Sequence, residues 1–389
     1  MAYGTTRRLL LGVLLATVLL LGWPWLWDAA LSSLLLSEVL HPVGTGPLSR
    51  LTAPPGREAV TFPGGGRSME ATLYRPGTQR GKVGVVLVHG VNEAGKDDPR
   101  IVRLADELAR VGFVVLTPDF LGFKSLTLRS TDVEELVASV QYLSQRLAAA
   151  RRSQIGLIGF SYGAGPTLIA AADPRIRDRV RFVVSFGGYY DLMDVITFVT
   201  TGAYQFGSIH GQVIPDPYVR WIFLRYILQL LPTARDRRIL QAIAEAKAKD
   251  PAVVTDAQVS ALGPEGRAAY DLWRNRDPAR TPQLLRSLGP DVRAEIWFLS
   301  PARVIGDLRA RLFIVHSDPD SYIPPTESLR LASALSARGN VHLAILRTFA
   351  HVRPNFPALT PDSFVRTYVP EGAKLFWLVF DLVRQRRDG

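Results

Sequence analysis

The pentapeptide Gly159-Phe160-Ser161-Tyr162-Gly163 sets a serine hydroxyl between two glycines. Glycine two positions to either side lets the chain make a sharp, strained turn from strand to helix. Such a turn pushes the hydroxyl into a cleft and aims the helix N-terminus at it. A serine hydroxyl is a weak nucleophile until a base takes its proton. Six histidines are available, and their settings sort them. His41 lies in a Pro/Gly-rich stretch, His210 in a long region between strand patterns, His342 inside a strand pattern, and His89 and His316 at strand ends. His351 follows Phe349-Ala350 in a loop just past the last strand pattern, where its ring can swing over Ser161. An orienting acid belongs between serine and histidine in chain order. The turn Ser317-Asp318-Pro319-Asp320-Ser321-Tyr322-Ile323-Pro324 offers Asp318 and Asp320. Either carboxylate can hold the imidazole tautomer and stabilise the imidazolium. This is the chemistry of attack on an acyl carbonyl through a covalent intermediate.

These groups need a scaffold, and the flanking pattern supplies one. Residues 58–62 and 69–74 read as two short antiparallel strands joined through Gly64-Gly65-Gly66. Residues 83–88 form an unbroken apolar run, as a strand buried on both faces requires, and end in His89-Gly90-Val91-Asn92. Asp98-Pro99 opens a helix with a capping side chain and a proline at the first helical position. Ile101, Leu104, Ala105, Leu108 and Val111 line its apolar face, and Gly112 closes it. A strand follows at 113–117, then a helix bearing Val133, Leu136, Val137, Val140 and Leu147, with Thr131 and Glu134 at capping-box spacing. Residues 155–160 make another buried strand that runs straight into Ser161, and a helix follows from Tyr162 to about Ala172. Alternating strands and helices predict an α/β fold with a mostly parallel sheet flanked by helices. Ligands bind such sheets at the carboxyl ends of the strands, where every candidate residue falls.

The order Ser161, acid, His351, together with a strand ending in His89-Gly90, resembles the α/β-hydrolase superfamily. Serine esterases, lipases and dienelactone-hydrolase-like members are the nearest in pattern, over residues 55–190 and 300–388. Members commonly place the acid four residues before a proline in a D-x-x-[I/V]-P turn. Asp320-Ser321-Tyr322-Ile323-Pro324 has that form, which selects Asp320 over Asp318. The resemblance further implies that the backbone N–H groups of Val91 and Tyr162 form an oxyanion hole, an interaction worth about 2–4 kcal/mol in acyl transfer. Dienelactone hydrolases proper carry cysteine where this chain has Ser161, so their substrate does not transfer with the resemblance.

After a strand at 182–186 and Gly187-Gly188-Tyr189-Tyr190, the strand–helix alternation breaks. Helical stretches at 218–231, 236–249 and 266–274 fall within 190–299, which resembles the helical cap that family members insert at this point. Tyr204, Phe206, Trp221, Phe223, Tyr226 and Trp273 either line an apolar acyl cavity or form the cap's own core.

The N-terminus has a different character. Arg7 and Arg8 precede an uncharged run from Leu9 to Trp27, with Trp23, Trp25 and Trp27 at its far end and Asp28 after it. As a helix the run is about 28 Å long, near the thickness of a bilayer core. Tryptophans there suit the membrane interface, and the flanking charges keep the N-terminus cytoplasmic. An uncleaved signal-anchor is the preferred reading, because no small-x-small cleavage site follows the run cleanly. A cleaved signal peptide, with export, and a buried core helix are the alternatives; Gly22 and Pro24 speak against the last. Residues 29–40 are amphipathic enough to lie on the membrane or pack on the domain, and 41–57 read as a Pro/Gly-rich linker.

Composition excludes other chemistry. The chain has 389 residues, 47% of them hydrophobic, enough for one large core with an insertion. It has no cysteine, which removes disulfides, thiolate catalysis and Cys-ligated zinc. No H-E-x-x-H helix is present, so no metal or cofactor is expected. The net charge of +11 is mostly arginine spread along the chain, without the basic, aromatic-interleaved stretches that nucleic-acid binders use. The expected organisation is a membrane segment at 1–40, a linker at 41–57, a catalytic domain at 58–189 and 300–388, and a cap at 190–299. The expected function is a membrane-anchored serine hydrolase, its catalytic domain extracytoplasmic, acting on a small or lipid-like ester. An acyltransferase or peptidase would use the same triad, and a binding protein could share the fold.

Overall fold

The computed structural model describes residues 23–40, 46–77, 83–147, 154–250 and 252–387. The chain opens with helices α1 (23–40) and α2 (Pro47–Leu51), then strands β1 (Gly56–Gly64), β2 (Arg67–Arg75) and β3 (Val83–Val88). Helix α3 (Pro99–Arg110), β4 (Val114–Pro118), the short α4 (Leu121–Lys124), α5 (Thr131–Arg146) and β5 (Gln154–Phe160) follow. Helix α6 (Ala164–Ala172) leads to β6 (Val180–Phe186). Between β6 and the next sheet strand come α7 (Leu192–Thr201), a hairpin of β7 (Ala203–Phe206) and β8 (Ile209–Gln212), α8 (Pro217–Leu230), α9 (Ala234–Lys249), α10 (Asp256–Ser260), α11 (Pro264–Arg274), α12 (Thr281–Ser287) and α13 (Pro290–Phe298). The chain then returns through β9 (Arg311–Ser317), α14 (Thr326–Ala334), β10 (Val341–Leu346), the two-residue strands β11 (Phe349–Ala350) and β12 (Arg353–Pro354), α15 (Pro361–Ser363), a π-helical turn at Phe364–Tyr368, and α16 (Val369–Arg384).

Eight strands form one sheet in the order β1-β2-β4-β3-β5-β6-β9-β10. The β1–β2 and β2–β4 pairs are antiparallel and the rest are parallel. Alternation along each strand divides the core in two. Val86 and Val88, Leu157, and Leu312 and Ile314 face one side, packed on α5, α6 and the β6–β9 insertion. Val85 and Leu87, Ile158, and Phe313 and Val315 face the other, packed on α1, α3 and α16. The continuous apolar runs in the sequence are therefore strands covered on both faces, as helical layers demand.

Several local expectations meet corrections. The capping box at Thr131 and Glu134 does not form: Ser130 holds the N-cap position and makes no side-chain cap. Glu295, from α13, accepts the Ser130 N–H at 2.6 Å, so tertiary structure serves the backbone at the start of the helix. Helix α3 follows its pattern, with the Asp98 side chain accepting the Arg100 N–H and Gly112 in a positive-φ turn after the helix. The stretch 41–57 is not all linker: Pro47 starts α2 at its first position, where its missing N–H costs nothing, and β1 begins at Gly56. Residues 41–45, with His41, lie outside the described residues.

Of the two placements considered for 29–40, the helix packs on the domain. Leu31 and Leu35 enter the core beside Leu375, Leu378 and Leu382 of α16, each such burial worth roughly 1.5–3 kcal/mol. Asp28 is buried between Arg386 (2.5 Å) and Arg387 (2.8 Å), and Glu38 pairs with Arg103 at 3.1 Å. Pro24 sits in the first turn of α1, the one place a helix tolerates it. Most of the 9–27 run lies outside the described residues, and among those described no helix is long and apolar enough to cross a membrane.

Candidate active site

All the chemistry-bearing groups gather at the carboxyl edge of the sheet. Strand β5 delivers Ser161, whose backbone adopts φ +54°, a region disfavoured for any residue with a Cβ. Its glycine neighbours are required by contact. A Cβ on Gly163 would lie 2.4 Å from the His89 carbonyl oxygen, and one on Gly159 would lie 2.7 Å from the Ala164 Cα. The helix after the turn begins as a 3-10 turn at Ser161–Gly163 and becomes α-helical at Ala164, slightly later than its pattern suggests.

His351 sits in the tight turn between β11 and β12, also at positive φ (+55°). Its Nε2 is 2.7 Å from Ser161 Oγ and its Nδ1 is 2.8 Å from Asp320 Oδ2. A carboxylate can only accept, so Nδ1 carries the proton and Nε2 presents its lone pair to the serine hydroxyl. The ring is almost entirely buried and stacks on Tyr322 at 4.6 Å between centroids, 7° from parallel. On its other side, Gly187 leaves room: a Cβ there would come within 3.1 Å of His351 Cε1.

Asp320 is held by four donors. Its Oδ1 accepts the N–H groups of Tyr322 (2.7 Å) and Ile323 (3.1 Å), while Oδ2 accepts Ser317 Oγ–H (2.9 Å) as well as the His351 ring. Burial pushes this carboxyl up, but the attraction of His351, its hydrogen bond, the neighbouring His316 and the Tyr322 N–H outweigh it and hold the carboxyl at about 2. Asp318 makes no contact of this kind; its N–H continues the sheet by donating to the Leu346 carbonyl. Of the two acids, Asp320 is the one the structure brings to His351. His316 is fully buried between Ser328 Oγ (2.7 Å) and the Ile323 carbonyl (2.9 Å), and burial lowers its pKa, so it braces the turn as a neutral ring.

Val91 and Tyr162 follow the two strand ends, β3 and β5, that flank the serine. Gly90 lies against Ser161, such that a Cβ on it would stand 3.2 Å from the serine Cβ. His89 shapes this loop: its ring is buried against Phe120 and Phe123, and its Nδ1 lies 2.7 Å from the Gly90 carbonyl, to which it donates. The insertion reaches the same loop, because Tyr218 on α8 donates its hydroxyl to the Val91 carbonyl at 3.3 Å. One turn away, the Asp216 N–H donates to Ser321 in the acid turn at 2.9 Å. The start of α8 thus links the loop before the serine to the loop that holds the acid.

Both ends of the insertion are tied to the sheet domain. Tyr189 donates its hydroxyl to the Leu299 carbonyl, and the Ala302 N–H donates to Tyr190. Glu327, on α14, accepts the N–H groups of Tyr190 and Asp191. Between the insertion and Tyr162 lies a cavity of about 20 Å³, bounded by Leu128, Leu192, Val195, Ile196, Val199, Ile222, Phe223 and Tyr226. That is room for roughly one water. The Tyr226 hydroxyl beside it is buried and without a hydrogen-bond partner among the described residues. A larger, open concavity of about 510 Å³ at Arg177, Asp307, Arg309 and Arg338 shares no residue with this cluster. Of the insertion aromatics, Phe223 and Tyr226 reach the cavity. Tyr204 packs on Phe198, Phe206 lies under Arg330, Trp273 packs on Tyr270, and Trp221 is half-buried on the core.

A family profile for the alpha/beta hydrolase fold matches residues 84–344, from β3 to the middle of β10. The chain belongs to the α/β-hydrolase family. A probable 2-oxo-3-(5-oxofuran-2-ylidene)propanoate lactonase of a Bradyrhizobium species is similar to it, at 30% identity over 148 residues. That match covers 33% of this chain and 54% of the relative, so the chain spans about half the length of the curated relative it matches. Solved structures of similar fold include an acylaminoacyl peptidase of Pyrococcus horikoshii, at 15% identity and TM-score 0.49, covering 87% of this chain and 43% of the peptidase. An esterase of Pyrococcus furiosus, at 14% identity and TM-score 0.45, covers 87% and 96% respectively. Among the described residues of this α/β hydrolase, no group of three or more His, Asp or Glu side chains is placed to hold a metal ion.

Proposed function

We propose that this α/β hydrolase is a serine hydrolase that cleaves a carboxylic ester or lactone. The reading rests on one observation: an unbroken line of short contacts from Ser161 Oγ through the His351 ring to Asp320, 2.7 Å and 2.8 Å long. His351 Nε2 takes the Ser161 proton as the oxygen attacks the carbonyl carbon, and Asp320 stabilises the imidazolium that results. The N–H groups of Val91 and Tyr162 take the oxyanion. The imidazolium then returns the proton to the leaving alcohol, which departs and leaves an acyl-enzyme. Water, deprotonated by the same Nε2, attacks that ester; collapse of the second oxyanion frees the acid and regenerates Ser161.

The β6–β9 insertion acts as a cap in this scheme, its apolar cavity beside Tyr162 taking the acyl group. As that cavity has room for about one water, longer acyl groups require α7 and α8 to move apart. The Bradyrhizobium lactonase fits this reading, since opening a lactone is hydrolysis of an internal ester. The chain is further read as tethered through residues 9–27 with its catalytic domain on the extracytoplasmic side.

Hydrolysis of p-nitrophenyl esters of graded acyl length tests the proposal. The protein is expected to turn over short acyl esters and to lose roughly 10⁴-fold or more in kcat on Ser161→Ala, with its circular dichroism unchanged. Equal turnover by the two proteins would refute the assignment.

A further inference from the structure

Helix α16 has an apolar face that the fold does not use. Its inner side, at Leu375, Leu378 and Leu382, fills the core. Its outer side carries Val369, Ala373 and Trp377 at four-residue spacing, and Val365 extends the line into the preceding π-helical turn. All four are exposed, Trp377 by 62%. Same-face residues on a helix recur every three to four positions, so this is a stripe rather than a scatter. Monomeric proteins seldom leave such continuous apolar surface without a use.

The stripe does not end on its own helix. Trp377 packs edge-on against Phe380 at 5.6 Å, and Phe380 packs against Trp25 of α1 at 5.9 Å. Trp25 is itself 52% exposed, and Arg384 lies 3.9 Å above its ring. The ion pairs of Asp28 with Arg386 and Arg387 lock the start of α1 to the end of α16. Trp23, Leu26 and Trp27 are exposed at that same start. Immediately before them in the sequence stand the uncharged residues of the 9–22 run. The apolar stripe of α16 therefore leads to the point where the uncharged 9–27 run joins the domain.

We propose that this face lies on a phospholipid bilayer, with Trp25 and Trp377 at headgroup depth and α16 along the membrane surface. Tryptophan beside arginine is the composition that interfaces select: the ring sits among headgroups while the guanidinium stays with phosphate and water. A helix placed this way buries its apolar side about 5–10 Å into the boundary between headgroups and acyl chains. The proposal rests on the N-terminal tether only for bringing the surface to the membrane. It adds a consequence for the site. The exposed residues Phe356 and Leu359 follow His351 by five and eight positions, so the segment leading from the site to the stripe carries exposed apolar side chains too. A domain held on this face receives amphipathic esters from the lipid surface.

The chain lacks cysteine, so one introduced cysteine gives one labelling site. The full-length protein is reconstituted in vesicles of phosphatidylcholine and phosphatidylglycerol with a nitrobenzoxadiazole label on Ala373→Cys. Ala334→Cys, exposed at the end of α14, is the control, and Val13→Cys reports the tether. The label at 373 is expected to be quenched by doxyl-lipid several-fold more than the label at 334, and to be shielded from iodide. If 373 responds to iodide as 334 does while 13 is quenched by doxyl-lipid, the tether stands and the docking face is refuted. Shielding from iodide without doxyl quenching means that protein covers the stripe, either residues 1–22 folded back or a second copy, and also overturns the proposal. Silence to doxyl-lipid at both 13 and 373 removes the tether and the docking face together.

Discussion

Asp320 and Glu327 stand seven residues apart, both shut off from solvent, and their carboxyl groups are driven in opposite directions. Burial raises both. At Asp320 two imidazoles and three further hydrogen-bond donors reverse that effect and bring the carboxyl to about 2; at Glu327 burial prevails and the carboxyl rises to about 8. Glu327 Oε2 accepts two backbone N–H groups, but Oε1 has no hydrogen bond: Arg330 Nε is 3.6 Å away, and the nearby Asp194 adds repulsion. The difference teaches that a buried carboxylate is charged here because of the donors that converge on it. The turn after β9 is built to converge them, and the first turn of α14 is not.

Of the two carboxyl groups, Asp320 carries the larger expected effect. Asp320→Asn keeps the shape but presents an amide N–H or a weaker acceptor to His351, and kcat is expected to fall on the order of 10³–10⁴-fold. A loss of less than tenfold, measured with a short acyl ester, would mean that the charge there does not serve the histidine. Glu327→Gln sharpens the other half. A carboxyl raised above its unfolded value makes the folded state bind the extra proton, so stability falls as pH rises from about 4.5 to about 8. The Gln variant should lose that part of the decline and be more stable than the parent at pH 9 by roughly 1–3 kcal/mol in urea titrations, while matching it near pH 4. A parallel pair of stability curves would show that folding does not raise the Glu327 carboxyl.

Smaller effects probe how the insertion supports the strand-end loops. Tyr218→Phe removes the hydroxyl that fixes the Val91 carbonyl and should lower kcat about three- to tenfold with little change in KM, as the proposed oxyanion role of the Val91 N–H requires for a loss of roughly 1 kcal/mol in its positioning. An unchanged kcat would detach Tyr218 from the loop's function. Asp318→Asn is the smallest change, within about twofold in kcat, because no hydrogen bond of its side chain joins the Ser161–His351–Asp320 line.

How much of this was legible in the sequence follows the range of the interactions. Ser161, His351 and the pair Asp318 and Asp320 could be singled out because each follows a strand whose apolar run is local, and because parallel sheets collect ligands at one edge; the choice of Asp320 came from the resemblance to α/β hydrolases. The glycines around Ser161 were equally readable, and Gly187-Gly188 carried a signal whose object, room for His351, needed the fold. Ser317 and Tyr322 lay inside the acid turn and His316 just before it, yet nothing in their spacing said that they would hydrogen-bond, stack or brace. Tyr218 reaches Val91 across 127 positions and Glu295 reaches Ser130 across 165, contacts that no local period encodes. In the insertion, helices were visible by their period, but which aromatics face the cavity depends on how α7 and α8 pack, so Phe223 and Tyr226 could not be separated from Trp221 and Trp273.

The central claim is that Ser161 is an activated nucleophile. Incubating the full-length protein with a fluorophosphonate probe, followed by peptide mass analysis, tests it most directly. A single phosphonylated peptide containing Ser161 is expected, abolished in Ser161→Ala and strongly slowed in Asp320→Asn. A folded protein that stays unlabelled with both short and long probes, or that is labelled at another serine, would contradict it.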